Sequence, residues 1–322
     1  MIILKKNFIK HFIFAVYRKA YIYFYWKIPF ILPAIKNPHI LNLELTNDCN
    51  LRCIHCFRNK MNRDIGYMDI NIFRKLIDEI SSYPVAFIRM IGRGEPAIHP
   101  DLKQIMEFLK GRKIKVEFCT NGIIFERYPP EEILEWNIDL LDVSVDGINR
   151  ESYNKIRKNG DYDLLRKNIS NFYYTRNTLK RGSPKINIRN VIFPGTTREH
   201  IEEFKINWRS VSDMVIFNEF NPLVRSGVNS RENIRCRSDI FFTAYIRWDG
   251  RIAKCAHQGI YEEEQYIGDL NSEDLRVIWN KPELRELRSL NYKRDYDKMP
   301  VCRQCYYNET RDQYNPMVVL PR

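Results

Sequence analysis

The feature that most constrains this chain is a regular alternation of short β-type runs with helix-like segments between residues 38 and 222. Strands separated by helical patterns indicate βαβ units and a parallel sheet. The expected strands are Leu41–Thr46, Phe87–Ile91, Ile114–Cys119, Leu140–Ser144, Lys185–Ile192 and Met214–Phe220. The expected helices between them are Asn71–Ile80, Asp101–Lys110, Pro130–Glu135, Glu151–Arg157 continuing through Tyr162–Tyr174, and Arg198–Ile206. The pattern therefore predicts an α/β fold, a partial (β/α)6 TIM-like barrel, in which chemistry gathers at the C-terminal ends of the strands.

The composition excludes several other classes of protein. Aromatic residues make up 13% of the 322 residues, which is too many for a disordered chain. No apolar run approaches the roughly 18 residues that a membrane-spanning helix needs. The formal net charge of +12 favours acidic partners, such as nucleic acid, anionic lipid or an acidic protein, although a solvated basic surface is the simpler explanation.

The two ends of the chain differ in character from the barrel region. Residues 1–36 are basic and aromatic and contain no acidic residue, so they either pack against the protein or make a peripheral membrane contact. Residues 37–224 form the predicted barrel. Residues 225–322 contain an Asp249-Gly250 hairpin signal and four cysteines, which predicts a small C-terminal cysteine-anchored domain.

Cysteine usage suggests the compartment. Lys10, Arg18, Lys19 and Lys27 interrupt every possible signal-peptide core, and no small-residue cleavage site follows. We therefore expect a reducing cytoplasm, where clustered cysteines indicate metal or redox chemistry rather than disulfides.

Cys49, Cys53 and Cys56 follow directly on the first predicted strand. Three thiolates in eight residues can hold a small iron–sulfur cluster and leave one iron open to another ligand. An open position distinguishes a reactive metal site from a structural one, as it does for zinc. The alternative is a structural zinc site, which lacks a fourth local ligand unless His55 serves.

This CxxxCxxC spacing after a strand resembles the radical S-adenosylmethionine (radical SAM) superfamily. The resemblance implies a [4Fe–4S] cluster whose open iron chelates the amino and carboxylate groups of S-adenosylmethionine (SAM). Reductive cleavage then gives a 5′-deoxyadenosyl radical that abstracts hydrogen from a substrate. The cofactor supplies the hard chemistry, and the protein supplies binding and orientation.

Further motifs follow the next strands and strengthen the resemblance. Gly92-Arg93-Gly94-Glu95-Pro96 is similar to the family's Gly-Gly-Glu-Pro motif, except that Arg93 replaces a glycine. The resemblance implies that this motif holds the methionine amino group. It also implies cofactor contacts from three residues on later segments: Asn121, Ser144 and Arg157.

The remaining cysteines, apart from Cys119, fall in the C-terminal region: Cys236, Cys255, Cys302 and Cys305. Four thiolates can ligate a second [4Fe–4S] cluster or a zinc ion. Their arrangement resembles the SPASM domain and its shorter twitch form, which implies one auxiliary cluster. Cys119 ends the third predicted strand. It is either an ordinary buried thiol or a hydrogen-atom donor inside the barrel.

The resemblance implies an oxidoreductase acting on a sugar-like or cyclitol-like alcohol. A peptide-modifying enzyme that makes a crosslink or an epimer is the alternative, but no winged-helix type of peptide-recognition domain is evident before Cys49. A flavodoxin- or ferredoxin-type donor would suit the basic surface. The alternative to an enzyme is a non-catalytic protein that holds structural zinc and binds nucleic acid.

Metal content distinguishes an iron–sulfur enzyme from a non-catalytic zinc protein. Anaerobically purified protein is expected to be brown and to contain about eight irons per chain, because two four-iron clusters are predicted. Elemental analysis and the visible absorption spectrum check this. Colourless protein with stoichiometric zinc would support the structural-zinc alternative instead.

Overall fold

The computed structural model describes residues 36–83, 85, 87–220, 239–255, 266–293, 295, 298 and 317–319. The predicted N-terminal segment, apart from Lys36, lies outside these residues. Three of the predicted cluster ligands lie outside them as well: Cys236, Cys302 and Cys305.

The described residues form an α/β structure around one large sheet. Its strands and a separate short pair are β1 (Ile40–Leu43), β2 (Arg52–Cys53), β3 (Phe87–Met90), β4 (Val116–Thr120), β5 (Leu140–Ser144), β6 (Arg157–Lys158), β7 (Lys185–Ile192), β8 (Met214–Glu219), β9 (Thr243–Ile246), β10 (Arg251–Ala253), β11 (Tyr266–Asp269) and β12 (Met317–Val319). The α-helices are α1 (Ile70–Ile80), α2 (Leu102–Leu109), α3 (Ile124–Arg127), α4 (Pro130–Glu135), α5 (Arg150–Ile156), α6 (Tyr162–Thr178), α7 (Arg198–Trp208), α8 (Asp239–Phe242), α9 (Leu275–Trp279) and α10 (Pro282–Lys293).

Strands β1, β3, β4, β5, β7 and β8 lie side by side and are parallel. This confirms the predicted α/β partial barrel. Because the strands are parallel, their C-terminal ends meet at one edge of the sheet. The loops after β1, β3, β4 and β5, which carry the predicted site residues, therefore start from the same edge.

The C-terminal part continues this sheet. Strand β9 pairs in parallel with β1, and β10 and β11 add antiparallel strands beyond it. On the opposite edge, β12 pairs antiparallel with β8. The described strands of the predicted C-terminal domain thus share the sheet of the barrel, a long-range pairing that local sequence patterns do not reveal.

Alternation along the parallel strands separates two faces of the sheet. One face carries apolar side chains that are completely buried against the helices, such as Ile88, Phe118 and Leu141. Helix α1 shows how the helices are fixed there. The Asp69 carboxylate caps its start by accepting a hydrogen bond from the Asn71 amide at 2.6 Å, and Phe73 is among the residues it buries in the core.

The predicted helical stretch from 151 to 174 is interrupted in the structure. Arg157–Lys158 form β6, which pairs with β2, and Asn159 has a positive φ of 70°. Asp161 then caps α6 by accepting hydrogen bonds from two backbone amides. Because β6 pairs with β2, the interruption connects the end of α5 to the loop that carries the cysteines.

Within the described residues, no helix is both long and apolar enough to cross a membrane. The possible membrane contact of residues 1–36 falls almost entirely outside the described part of the chain.

Candidate active site

The three N-terminal cysteines lie together in the loop after β1. Cys49, Cys53 and Cys56 are free thiols, each partly exposed. Burial, and then the charges of Glu95 and the two other cysteines, raise the pKa of Cys49 to about 12. A bound metal cation would stabilise these neighbouring sulfur donors as thiolates. The chemistry of this donor set fits a metal cluster.

Short strands and hydrogen bonds fix the shape of the cysteine loop. In the β2–β6 pair, Cys53 lies opposite Arg157, and the Ile54 amide donates to the Ile156 carbonyl at 2.9 Å. The Asp48 carboxylate accepts from the Cys49 amide at 2.8 Å. Its oxygens also accept from Arg58 at 2.8 Å and from the Tyr67 hydroxyl at 2.9 Å.

Gly92 and Gly94 allow the loop after β3 to approach the loop after β1. A Cβ atom on Gly94 would lie 2.2 Å from the Asp48 carbonyl oxygen and 2.4 Å from that of Thr46. A Cβ atom on Gly92 would lie 2.4 Å from Glu44 Cγ. These contacts are too short for any other residue, so the motif is required for the close packing of two loops.

The carboxylate of Glu95 joins the β3 loop to the end of β4. Its Oε1 accepts from the Thr120 hydroxyl at 2.8 Å and from the Ala97 amide at 3.1 Å. Its Oε2 accepts from the Asn121 amide at 2.6 Å. Burial raises the pKa of Glu95 to about 7, and these three hydrogen bonds oppose that rise. The sequence motif predicts that this carboxylate binds the amino group of a ligand. In the structure, it accepts hydrogen bonds from the chain and holds the two segments together.

Asn121 connects this network to the cysteines. Its side-chain amide donates to Asn50 Oδ1 at 2.8 Å and lies 3.7 Å from Cys49 Sγ. The Leu51 amide donates to the same sulfur at 3.4 Å. Hydrogen bonds to cluster sulfurs are among the factors that set a reduction potential. The structure therefore brings Asn121, Glu95 and Cys49 into one connected site.

Ser144 and Arg157 occupy different surroundings. Ser144 ends β5, half-buried, at the same edge of the sheet. The buried Arg157 guanidinium lies 2.7 Å from Asp146 Oδ2, and His55 Nε2 lies 3.2 Å from the same oxygen. Burial opposes ionisation of Asp146, but Arg157 and His55 together lower its pKa. Arg157, predicted to face a methionine carboxylate, is thus already paired with a carboxylate of the chain.

Sequence reasoning missed Glu44, which is completely buried beside the glycine motif. Its Oε2 accepts from the Arg93 amide at 2.9 Å, Arg63 Nη2 at 2.7 Å and the Tyr245 hydroxyl at 2.8 Å. Its Oε1 has no hydrogen-bond partner among the described residues. A charged residue in the run Leu41–Thr46 was a signal that could have identified it.

Of the four predicted ligands of the second cluster, only Cys255 lies among the described residues. Cys255 is buried and lies two residues after β10. Cys119, which belongs to neither group, is a partly exposed free thiol on β4. Burial, and then the carboxylates of Glu117 and Asp142, raise its pKa well above its ordinary value.

Two family models match the chain. One, described as the radical SAM superfamily, matches residues 43–205. The other, described as an iron–sulfur cluster-binding domain and named SPASM, matches residues 236–306. The two matches confirm the resemblance noted in the sequence.

Individual proteins are also similar to this chain. The mycofactocin maturase MftC of Mycobacterium tuberculosis is 33% identical over 137 residues, which cover 42% of this chain and 34% of the maturase. The matched stretch is thus about a third of that relative. The tungsten-containing aldehyde ferredoxin oxidoreductase cofactor-modifying protein of Pyrococcus furiosus is 23% identical and is covered more fully, at 84% of this chain and 88% of that protein.

Solved structures show the same fold. SuiB of Streptococcus suis bound to its precursor peptide SuiA has a TM-score of 0.64 and 16% identity. The match covers 80% of this chain and 68% of SuiB. SuiB bound to SAM gives a TM-score of 0.63, also at 16% identity, over 80% of this chain and 69% of SuiB.

Gly94→Ala is expected to weaken SAM binding by about tenfold or more, a loss of about 1.4 kcal/mol. The new methyl group would force the β1 and β3 loops apart at Asp48 and Thr46. Equilibrium dialysis of SAM against unreduced, cluster-loaded protein measures the change. Gly182→Ala is the matched control, because nothing lies within 4 Å of its Cβ position. Equal affinities of the two variants would contradict this account of the loop.

Proposed function

Because the chain belongs to the radical SAM superfamily, we propose that it is an oxidoreductase that acts on a small alcohol resembling a sugar or a cyclitol. Its cofactors are SAM and two iron–sulfur clusters, in agreement with the two matched domains. When bound, they supply a 5′-deoxyadenosyl radical and a site that accepts an electron. The chain's own residues bind these groups and orient the substrate.

The proposal assigns residues to each cofactor. Cys49, Cys53 and Cys56 hold the first cluster, and Cys236, Cys255, Cys302 and Cys305 hold the second. Gly92, Gly94 and Glu95 hold the methionine part of SAM, beside Asn121, Ser144 and Arg157. The convergence of the three N-terminal thiols, and the hydrogen bonds that join Glu95 to Asn121 and Asn121 to Cys49, support this assignment.

The observation that carries the substrate class is the polar face of the parallel strands beneath these loops. Arg89 and Glu117 form an ion pair there at 2.9 Å, and Arg189 and Asp142 form another at 2.7 Å. A peptide side chain that is apolar would leave these groups poorly solvated. A molecule rich in hydroxyl groups can hydrogen-bond to them instead.

The oxidation removes two electrons and two hydrogens from one carbinol group. SAM, when bound, would supply the acceptor for the hydrogen of the carbinol carbon, and a carboxylate of the chain would take the hydroxyl proton. An iron–sulfur cluster, when bound, would supply the acceptor for the remaining electron, so that the substrate would leave as a ketone. A carboxylate whose pKa is raised by burial, as at Asp142, is suited to receive the proton.

A second candidate function is peptide modification. The mycofactocin maturase relative and the fold shared with SuiB, whose structure contains a precursor peptide, favour it. In that case the same radical would act on a side chain or a backbone carbon. The product distinguishes the two functions, because only the alcohol oxidation yields a carbonyl compound from a free polyol.

Under this proposal the reductant is a flavodoxin- or ferredoxin-type protein in the cytoplasm. Such acidic donors complement a chain with a net charge of +12. The same charge would attract nucleic acid, but a nucleic-acid role predicts affinity that falls steeply with salt and no cleavage of SAM.

Cys53→Ala is expected to abolish 5′-deoxyadenosine formation under dithionite while the iron of the second cluster persists. Removal of one of three thiolates disrupts the first cluster and leaves the second set of four cysteines unchanged. Chromatography of the nucleoside and iron analysis measure both results. Continued cleavage in this variant would show that the cysteine assignment is wrong, and absence of cleavage in the wild type would refute the enzyme class.

A further inference from the structure

The parallel strands carry a row of polar residues on the face opposite the helix-packed core. Arg89 lies opposite Glu117 in the β3–β4 register, and Cys119 lies opposite Asp142 in the β4–β5 register. We call this set the barrel floor. It consists of Asn42, Arg89, Glu117, Cys119, Asp142 and Arg189.

The barrel floor lies directly beneath the loops of the candidate site. Cys119 precedes Thr120, whose hydroxyl donates to Glu95, and Asp142 lies two residues before Ser144. Two residues along a strand span about 7 Å. Asp142 therefore lies about 7 Å, along the strand, from Ser144 of the candidate site.

Charges on the floor are balanced in pairs. The Arg89 and Arg189 side chains are 32% and 31% exposed, whereas their partners Glu117 and Asp142 are 12% and 6% exposed. Between the pairs, Glu117, Cys119 and Asp142 each bring one side-chain oxygen or sulfur atom within 4.8 Å of the other two. The floor is therefore polar, but its two cations and two anions leave no net charge.

Several polar atoms of the floor have no hydrogen-bond partner among the described residues. They are Asp142 Oδ1, Asn42 Oδ1 and Arg89 Nε. Asp142 as a whole is only 5% exposed. A buried polar atom without a partner costs folding free energy, which a ligand group that pairs with it would recover. Two acceptors and one donor are thus available on neighbouring strands for a ligand that both donates and accepts.

Other ligand types fit the floor poorly. A metal ion at Glu117, Cys119 and Asp142 would lie beside two guanidinium groups that already neutralise the carboxylates. A phosphate or carboxylate would find each arginine paired with an anion. An apolar group would leave the unpartnered atoms unsatisfied. A hydroxyl oxygen supplies a donor and acceptors at one atom, so neighbouring hydroxyl groups can satisfy all three floor atoms.

We propose that the barrel floor binds adjacent hydroxyl groups of a neutral polyol ring, with Asp142 and Asn42 accepting and Arg89 donating hydrogen bonds. This inference rests on the proposed function, because it names the substrate class of the same site. It also assigns to this chain specificity-determining residues that lie outside its SAM-binding motifs.

The test measures binding without turnover. Tritiated myo-inositol and glucose are dialysed separately against wild-type protein that holds both clusters and SAM and is kept unreduced. Asn42→Leu is the informative variant. It is close in shape and removes an unsatisfied buried acceptor, so folding stability is expected to stay equal or rise. Polyol affinity is nevertheless expected to fall by about tenfold, because one hydrogen bond to the ligand is lost.

Asp142→Asn is the second variant, and a loss of about tenfold or more is expected because a charged acceptor is removed. Asp78→Asn is its matched control, since Asp78 is an exposed residue on α1 whose side chain is 61% accessible. Unchanged affinity in both floor variants, or failure of the wild type to bind either polyol, would overturn the proposal.

Two arms separate this inference from the proposed function. Polyol binding that depends on Asn42 and Asp142, without ketone formation after reduction, would uphold the floor and refute the oxidation. Oxidation of a polyol whose affinity is unchanged in the Asn42 and Asp142 variants would support the proposed oxidation and refute the role of the floor. Preferential binding of glucose 6-phosphate over glucose would overturn the neutral-ligand assignment.

Discussion

The buried carboxylate of Glu95 is the interaction on which the candidate site depends. Two of its three hydrogen bonds, from Thr120 and Asn121, hold the loop after β3 to the end of β4, and the Asn121 side-chain amide carries that connection on to Asn50 and Cys49. Three segments that are distant in sequence are thereby held in one geometry before any ligand binds. Preorganisation of this kind lets a site hold a reactive cofactor without reorganising the chain around it.

A second buried carboxylate, Glu44, has a similar effect on the other side of the glycine motif. It accepts hydrogen bonds from the Arg93 amide, Arg63 and Tyr245. Tyr245 belongs to β9, which comes from the C-terminal part of the chain and pairs with β1. The SPASM-matched region thus contributes directly to the surroundings of the first cysteine loop. Buried charges of this kind are tolerated only where they are paired and hydrogen-bonded, which explains the density of polar contacts here.

Much of the fold could be predicted because its signals are local. The strands Leu140–Ser144 and Lys185–Ile192 and the helix Pro130–Glu135 occur with the predicted bounds, and the other parallel strands differ by a few residues at their ends. The pairing of β9 with β1 and the ion pair of Arg157 with Asp146 could not be predicted, because both join segments by tertiary contact. The motif residues were found through their spacing. Glu44 was missed because it stands at a polar position of the alternating run Leu41–Thr46, where a carboxylate that faces solvent is the ordinary expectation.

The central claim is that three thiolates in the loop after β1 leave one iron position for the methionine end of SAM. Electron–nuclear double resonance on the reduced protein, with SAM labelled at the methionine nitrogen and carboxylate, tests it most directly. We expect magnetic coupling between both labels and a reduced cluster, and we expect that coupling to vanish in Cys53→Ala. Normal cluster signals in the wild-type protein, with no coupling to either label, would contradict the account.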